Sequence, residues 1–253
     1  MLYRYRPCSV RKPDGSERKS TAEIEERFAY FSSPLRFNDP QDGLLGPEFA
    51  GGKGDIDRII GHGLAEAFQL ARKKQCSITQ LDASDPEVKA AASAYKRLKA
   101  RVKTCVLCLS WDWRSPLMWT FYGQEHQGLC LGYSTEGELF RLARPVLYTH
   151  SPTDVLHLND AKTRNDPLSF CKSTDWQFER EWRICLREPG PKRVDLAKEK
   201  LVSVHLGYRL KDTQLQELAA AMRKAGYKPT ETRLYAMERA HMSFALGARP
   251  ISW

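Results

Sequence analysis

The run Trp176 to Ile184, W-Q-F-E-R-E-W-R-I, places the tightest constraint on how this chain can fold. Its bulky apolar and charged residues alternate with a period of two. That is the pattern of a strand with one buried face. Read as a strand, Phe178, Trp182 and Ile184 fall on one side, and Glu179, Glu181 and Arg183 on the other. The two carboxylates then project from one face, about 7 Å apart along the strand, beside a guanidinium. Such a trio can orient a sugar and stabilise a cationic transition state. The same composition also suits a solvated strand edge.

The rest of the chain reads as more short strands with helices set among them. Strands are expected at Leu2 to Arg6, Arg27 to Ser32, Cys105 to Trp111, Gly128 to Ser134, Pro145 to Thr149, Phe178 to Arg187, Leu201 to Leu206 and Thr232 to Met237. Helical patterns fall near Thr21 to Glu26, from Asp57 to Lys74, and after the Ser84-Asp85-Pro86-Glu87 start signal. The last two predict a helical pair inserted at about 55–103. Shorter helices follow Ser115-Pro116 and Thr135, and one over Gln214 to Ala225 stops at Gly226. The segment from Arg239 to Trp253 fits either a strand or a docking tail. Strands clustered with helices inserted, without strict alternation, predict the α+β class. The expectation is one domain over 1–253, with a mixed or antiparallel sheet forming a cleft.

At 253 residues, 42% of them hydrophobic and 28% charged, the chain is long enough for a sizeable core. No apolar run approaches the roughly 20 residues that span a bilayer, and M-L-Y-R-Y-R-P lacks a secretory h-region. A soluble cytoplasmic protein with no membrane partner is expected. The net charge of +9 favours polyanions such as nucleic acid or a phosphate-bearing cofactor. Seven cysteines without an export signal imply reduced thiols. Cys105 and Cys108 form a C-x-x-C, but three positions apart on a strand face opposite sides, and no second pair completes a zinc site. The six histidines show no metal-ligand spacing, so no metal site is expected.

Several residues carry candidate chemistry. On the helix after Ser115, Leu117, Met118 and Phe121 can fill core, while Trp119, Tyr122 and His126 share a face. That face is either an aromatic core stripe or a wall for a flat ring such as adenine or nicotinamide. Ser110 ends the strand begun at Cys105, where a hydroxyl can bind a ribose or an amide. It lacks a G-x-S-x-G setting, so a serine hydrolase is rejected. No Rossmann or P-loop glycine pattern is present. Arg4 and Arg6 share one face of the first strand, either as a phosphate clamp or as exposed edge residues. Asn38, in F-N-D-P, either caps a turn or points its amide at a ligand.

Together L-Y-R-Y-R-P, Y-F-S-S-P-L-R-F-N-D-P, C-L-S-W, M-W-T-F-Y-G-Q-E-H-Q-G-L-C-L-G-Y and K-S-T-D-W-Q-F-E-R-E-W-R resemble an uncharacterised bacterial family, domain of unknown function 2971. The likeness spans roughly residues 1–187 and carries no activity. A second resemblance is to ADP-ribosyltransferases, many of which order an early strand arginine or histidine, a mid-chain strand serine and a late Glu-x-Glu. Here the order is Arg4 or Arg6, Ser110, then Glu179-Arg180-Glu181. The chain departs from that pattern in having Ser110-Trp111-Asp112 where Ser-Thr-Ser or similar is expected.

The second resemblance implies NAD as cofactor, its phosphates near Arg4 or Arg6. It implies Ser110 and the wall of Trp119, Tyr122 and His126 on the nicotinamide ribose, with Asn38 toward the ligand. Glu181 stabilises the oxocarbenium ion, Glu179 orients or deprotonates the acceptor, and Arg183 holds the carboxylates. The implied protein is a bacterial toxin or antiphage effector with an antitoxin or immunity protein as partner; the positive charge points to RNA or DNA as acceptor, with a protein side chain or water left open. Two other classes stay open: a metal-independent nucleic-acid-binding protein or nuclease, and a noncatalytic interaction domain.

Overall fold

The computed structural model describes residues 1–11, 17–39, 42, 69–75, 81–82, 84–89, 104–150, 167–188 and 191–253. The first part of the chain gives β1 (Leu2–Arg6), β2 (Ser9–Arg11), β3 (Glu17–Lys19), helix α1 (Thr21–Glu25) and β4 (Phe28–Phe31). The middle gives β5 (Cys105–Ser110), helix α2 (Pro116–Phe121), β6 (Leu129–Tyr133), β7 (Arg144–Pro145), β8 (Leu147–Thr149) and β9 (Cys171–Ser173). Then come β10 (Glu181–Leu186), β11 (Lys192–Asp195), β12 (Leu201–Leu206), helix α3 (Asp212–Lys224), β13 (Arg233–Arg239) and β14 (Leu246–Ile251). The inserted helical pair expected at 55–103 lies largely outside the described residues; within it, 69–73 and 86–89 are helical. No described helix is long and apolar enough to cross a membrane.

Eight strands form one sheet in the order β14-β13-β12-β6-β1-β5-β10-β7. It is mixed: β12 and β13 run parallel, and the other neighbours are antiparallel. The fold is α+β, as the clustering of strands predicts. The alternation of each strand sorts its residues onto two faces. Leu107, Leu109, Leu131, Ile184, Val204 and Leu234 build the first face, which packs with Ile24 of α1 and Leu218 and Met222 of α3. Each such side chain, once buried, contributes about 1.5–3 kcal/mol. The second face carries Tyr3, Tyr5 and Cys130 against Met118 and Trp119 of α2. Gly132 leaves room for its two neighbours in the sheet, Tyr3 of β1 and Ser203 of β12, because a Cβ there would stand 2.3 Å from Ser203 Oγ and 2.9 Å from the Tyr3 ring.

Local signals hold at most helix ends. Ser115 caps α2 by accepting the Met118 N–H at 3.4 Å, with Pro116 opening the helix. Gly226, at φ 76°, ends the last helix. Thr135 starts no α-helix; the segment narrows to a 3-10 turn at Phe140–Leu142. Pro145 to Thr149 is two strands. β7 borders β10 in the main sheet, whereas β8 pairs with β9 in a parallel ribbon. The closing segment contains a strand, β14, at the sheet edge.

The alternating run departs from its expected form. Thr174–Glu179 is a 3-10 helix, Arg180 takes left-handed backbone angles (φ 46°, ψ 50°), and β10 starts only at Glu181. Trp182 and Ile184 do face the first core. Phe178 lies with the second, its ring 5.8 Å from that of Phe121. A period of two over nine residues therefore held for only the last part of the run. Asp175 takes part in the local capping that competes with strand geometry: its N–H donates to Ser173 Oγ.

Candidate functional site

The sheet opens between β1 and β5. On one side β1 pairs with β6 through all five of its residues, Leu2 to Arg6. On the other it meets β5 only at Tyr3↔Ser110. Beyond that pair β5 turns to Ser32, which exchanges two 2.8 Å backbone hydrogen bonds with Val106. Alternation along an antiparallel strand then directs the Cys108 N–H and C=O toward the same opening. Arg4 reaches across it to the Tyr30 carbonyl at 3.2 Å. A cavity of about 390 Å³ occupies this fork. That volume lies within the range of small-molecule sites, roughly 300–1,000 Å³.

Because the sheet is open there, side chains from both faces reach one space. Arg4, Arg6 and Arg36 line it together with Asn38, Asp42, Ser110, Tyr122, Lys172, Glu179 and Glu181. Arg4 and Arg6 are both bound to Glu23 of α1, at 2.8 and 2.7 Å. With all three ionised, the group keeps one net positive charge. The sequence pairing of these arginines on one face is correct, but they stand on the face opposite Ser110 and Glu181.

The acidic side is built around Lys172. Its ammonium lies 2.6 Å from Glu179, 3.6 Å from Glu181 and 3.6 Å from Asp42. Glu179 and Glu181 thus converge although one is on a 3-10 turn and the other on a strand. Glu179 also accepts from the Tyr122 hydroxyl at 2.5 Å, and Tyr122 accepts from the Asn38 amide at 3.0 Å. Glu181 accepts two bonds from Arg183, 2.9 Å from Nε and 2.8 Å from Nη2. Arg183 in turn donates to both oxygens of Asp42 and to the Ser169 carbonyl. The Glu181 N–H donates to the Tyr148 hydroxyl at 2.7 Å. Tyr148 and Lys172 sit opposite each other across β8 and β9, which explains why that ribbon aims at the glutamates.

These groups are not a solvated strand edge. Glu179, Glu181 and Arg183 are only 3, 5 and 1% exposed. With all five charged groups ionised, three carboxylates face two cations, leaving one net negative charge. Burial pushes the Glu179 carboxyl above its ordinary range, and Lys172 offsets this only in part. Burial also pushes Glu181 upward, but Arg183 and Lys172 with the remaining partners together outweigh it and hold that carboxyl below its ordinary range. For Lys172, burial opposes the charge, but Glu181, Glu179 and Asp42 together raise its pKa. Burial and Glu179 keep Tyr122 a neutral phenol, so it donates rather than accepts toward Glu179.

Other sequence candidates fall differently. Ser110 donates to the Glu179 backbone carbonyl at 2.7 Å, so its hydroxyl anchors the turn that carries Glu179. Trp119 is fully buried in the core, with Nε1 donating to the Trp113 carbonyl at 2.8 Å. His126 stacks beyond it and does not line the cavity. Of the two readings of that face, the core stripe holds for Trp119, and the ligand wall passes to Met118, Phe121 and Tyr122, which line the cavity. The helix ends at Phe121 with Tyr122 as its cap, and His126 lies beyond it in a turn with left-handed backbone angles, so the i, i+3, i+7 spacing does not apply. Leu117 and Phe121, read as core, are exposed.

Sequence reading missed Lys172, Asp42, Tyr148 and Cys108. Cys108 lines the cavity beside Glu181. Lys172 lies in the K-S-T-D-W-Q-F-E-R-E-W-R segment, where a lysine before a capped turn looks like a surface residue. Nothing near Asp42 signals a partner 141 residues away. Among the described residues no group of three or more His, Cys, Asp or Glu side chains is placed to hold a metal. In comparisons with known proteins, no family, no curated protein and no solved structure matches the chain.

Proposed function

We propose that the protein is an NAD-dependent ADP-ribosyltransferase-like enzyme. It breaks the nicotinamide–ribose bond and passes ADP-ribose to a macromolecular acceptor, with nucleic acid favoured by the +9 charge. The observation that carries this reading is the fork between β1 and β5, where arginines and paired glutamates line one cavity. Arg4 and Arg6 line the cavity, and guanidinium groups suit the oxygens of a pyrophosphate. The glutamates suit the other half of the molecule. As the bond breaks, its electron pair leaves with the nicotinamide nitrogen, and positive charge develops on the ribose. A buried cluster with net negative charge, already ordered, stabilises that cation with little reorganisation. Glu181, clamped by Arg183, is the group assigned to the ribose. Glu179 takes the proton of the attacking acceptor.

The same reading makes the protein a bacterial toxin or antiphage effector acting in the cytoplasm, controlled by an antitoxin or immunity protein. The segment likeness to domain of unknown function 2971 belongs to the proposal and adds no activity to it. The test is nicotinamide release from NAD by purified protein, with and without RNA, DNA and lysate, beside Glu181→Gln. Release should fall at least about 100-fold in the variant, the scale on which a preorganised electrostatic group acts. Undiminished release by a folded Glu181→Gln protein would remove Glu181 from this role.

One observation favours a second reading, a nucleic-acid binder or metal-independent nuclease. Phe121 is 60% and Trp111 59% exposed at or beside the cavity, and exposed rings on a basic protein suit unstacked bases. Salt-sensitive oligonucleotide binding that ignores Glu181, in protein that never cleaves NAD, would select it.

A further inference from the structure

Arg183 cannot serve both glutamates. Its Nε and Nη2 are engaged with Glu181, and Nη1 and Nη2 with Asp42. The only cation bonded to Glu179 among the described residues is Lys172. Among the described residues, the remaining contacts of Glu179 are neutral or repulsive. Tyr122 of α2, backed by Asn38, donates to one oxygen. Ser110 of β5 holds the backbone carbonyl, not the carboxylate. Glu181 of β10 and Asp42, from the segment after β4, bring negative charge, each reaching the same ammonium at 3.6 Å. On Glu179's own turn, Trp176 presents its ring to the Lys172 ammonium at 4.6 Å.

We propose that Lys172 is the positioning residue of this site: its ammonium is the countercharge that keeps Glu179 ionised and fixes it between Tyr122 and Glu181. The geometry gives the reason. Removing the lysine's charge takes the buried cluster from one net negative charge to two. Two carboxylates at close range in a dry site do not both stay ionised. Glu181 keeps its two-bond clamp to Arg183, so Glu179 is the group that takes the proton. Protonated, it can no longer accept a proton from an acceptor. Lys172 therefore assigns unlike roles to two chemically identical side chains, with Glu181 fixed as the permanent anion and Glu179 as the group able to exchange a proton. The surrounding contacts explain why a lysine can sit there at 6% exposure: three carboxylates and an aromatic face replace its water.

The catalytic part of this proposal rests on the NAD-cleaving reading, while the electrostatic part does not. The experiment therefore has two readouts on folded protein. Glutamate carboxyl carbons are labelled with carbon-13, and the Glu179 resonance is assigned by its loss in Glu179→Gln. Its titration is followed in the wild type, Lys172→Met and Lys172→Arg. The expected result is a midpoint moved to higher pH in Lys172→Met and returned toward the wild type in Lys172→Arg. Where Lys172→Met does not fold, Lys172→Gln keeps a hydrogen-bond donor without the charge and carries the same comparison. In parallel, NAD cleavage near neutral pH should drop about 100-fold without the charge, as for loss of a general base, with its acid limb displaced upward. An unmoved Glu179 midpoint in folded Lys172→Met or Lys172→Gln overturns the proposal, whatever the activity. A shifted midpoint in protein that never cleaves NAD upholds the electrostatic part and overturns the functional reading alone.

Discussion

Arg183 and Asp42, 141 residues apart in the chain, meet in a two-bond ion pair of 2.9 and 2.5 Å that is almost wholly shielded from water. The pair ties the segment following β4 to the strand bearing Glu181. Its geometry makes it a fixed part of the cavity wall, because Glu181 shares the same guanidinium. Phe37 adds a ring 5.2 Å from the Arg183 guanidinium carbon. One arginine thus holds two carboxylates and an aromatic from separate parts of the chain.

Removing one partner of such a pair leaves a buried charge unmatched. Arg183→Met should destabilise the fold by about 3–5 kcal/mol. Asp42→Asn should cost less, since Glu181 still faces the guanidinium. Urea unfolding of both variants and of the double variant checks this, and a strictly additive double variant would mean that the two residues do not act together.

Ser110 tests the difference between a ligand contact and a support. Its hydroxyl is 1% exposed and donates to the Glu179 carbonyl. Ser110→Ala leaves that buried carbonyl without this donor and should cost about 1–3 kcal/mol. If the proposed NAD cleavage holds, it should fall through kcat rather than KM, because the turn carrying Glu179 loosens while the rest of the cavity wall stays. A change confined to KM would instead place the hydroxyl on the ligand.

His205 predicts a specific acid sensitivity. The imidazole is buried between Trp113 and Tyr235, with Tyr3 at its edge, and Ser203 Oγ lies 3.2 Å from Nε2. Burial pushes its pKa from 6.5 down to about 4. The unfolded chain therefore binds a proton that the folded chain refuses as pH falls below 6.5. Stability attributable to this group is complete above pH 6.5 and declines as pH drops toward 4, by up to roughly 3 kcal/mol. His205→Phe keeps the stack and should flatten this slope. Urea melts across that pH window give the result, and an unchanged slope in the variant would assign the acid sensitivity elsewhere.

Phe121 offers a surface test. At 60% exposure, Phe121→Ala should alter stability by no more than about 0.5 kcal/mol. If the cavity mouth receives an unpaired base, the same change should weaken single-stranded oligonucleotide binding by about 1–3 kcal/mol. Fluorescence anisotropy with single- and double-stranded oligonucleotides measures this. Equal binding by wild type and variant would exclude the ring as a stacking surface.

The strand and helix positions were widely legible because they depend on local periodicity. Cys105 to Ser110, Leu201 to Leu206 and the helix stopped by Gly226 follow from patterns a few residues long. Where a local pattern admitted two structures, contacts decided. Glu179 looked like a strand residue until the Ser173 cap and the left-handed Arg180 placed it on a turn. The spacing of Trp119 and Tyr122 suited a core stripe and a ligand wall equally, and the indole of Trp119 found a backbone partner inside the core.

Local side-chain pattern is enough to show that this chain is α+β, and that Glu179, Glu181 and Arg183 bring charge to a segment with apolar neighbours. Those facts follow from side-chain size, polarity and spacing along a few residues. Tertiary structure alone decided that β1 and β5 part after a single residue pair, that Arg4 and Arg6 meet Glu23, and that Lys172 and Asp42 complete the acidic cluster. The reason is physical. A charge can be buried only where distant segments bring it partners, and the identity of those partners is set by the strand order of the sheet, which no local spacing encodes.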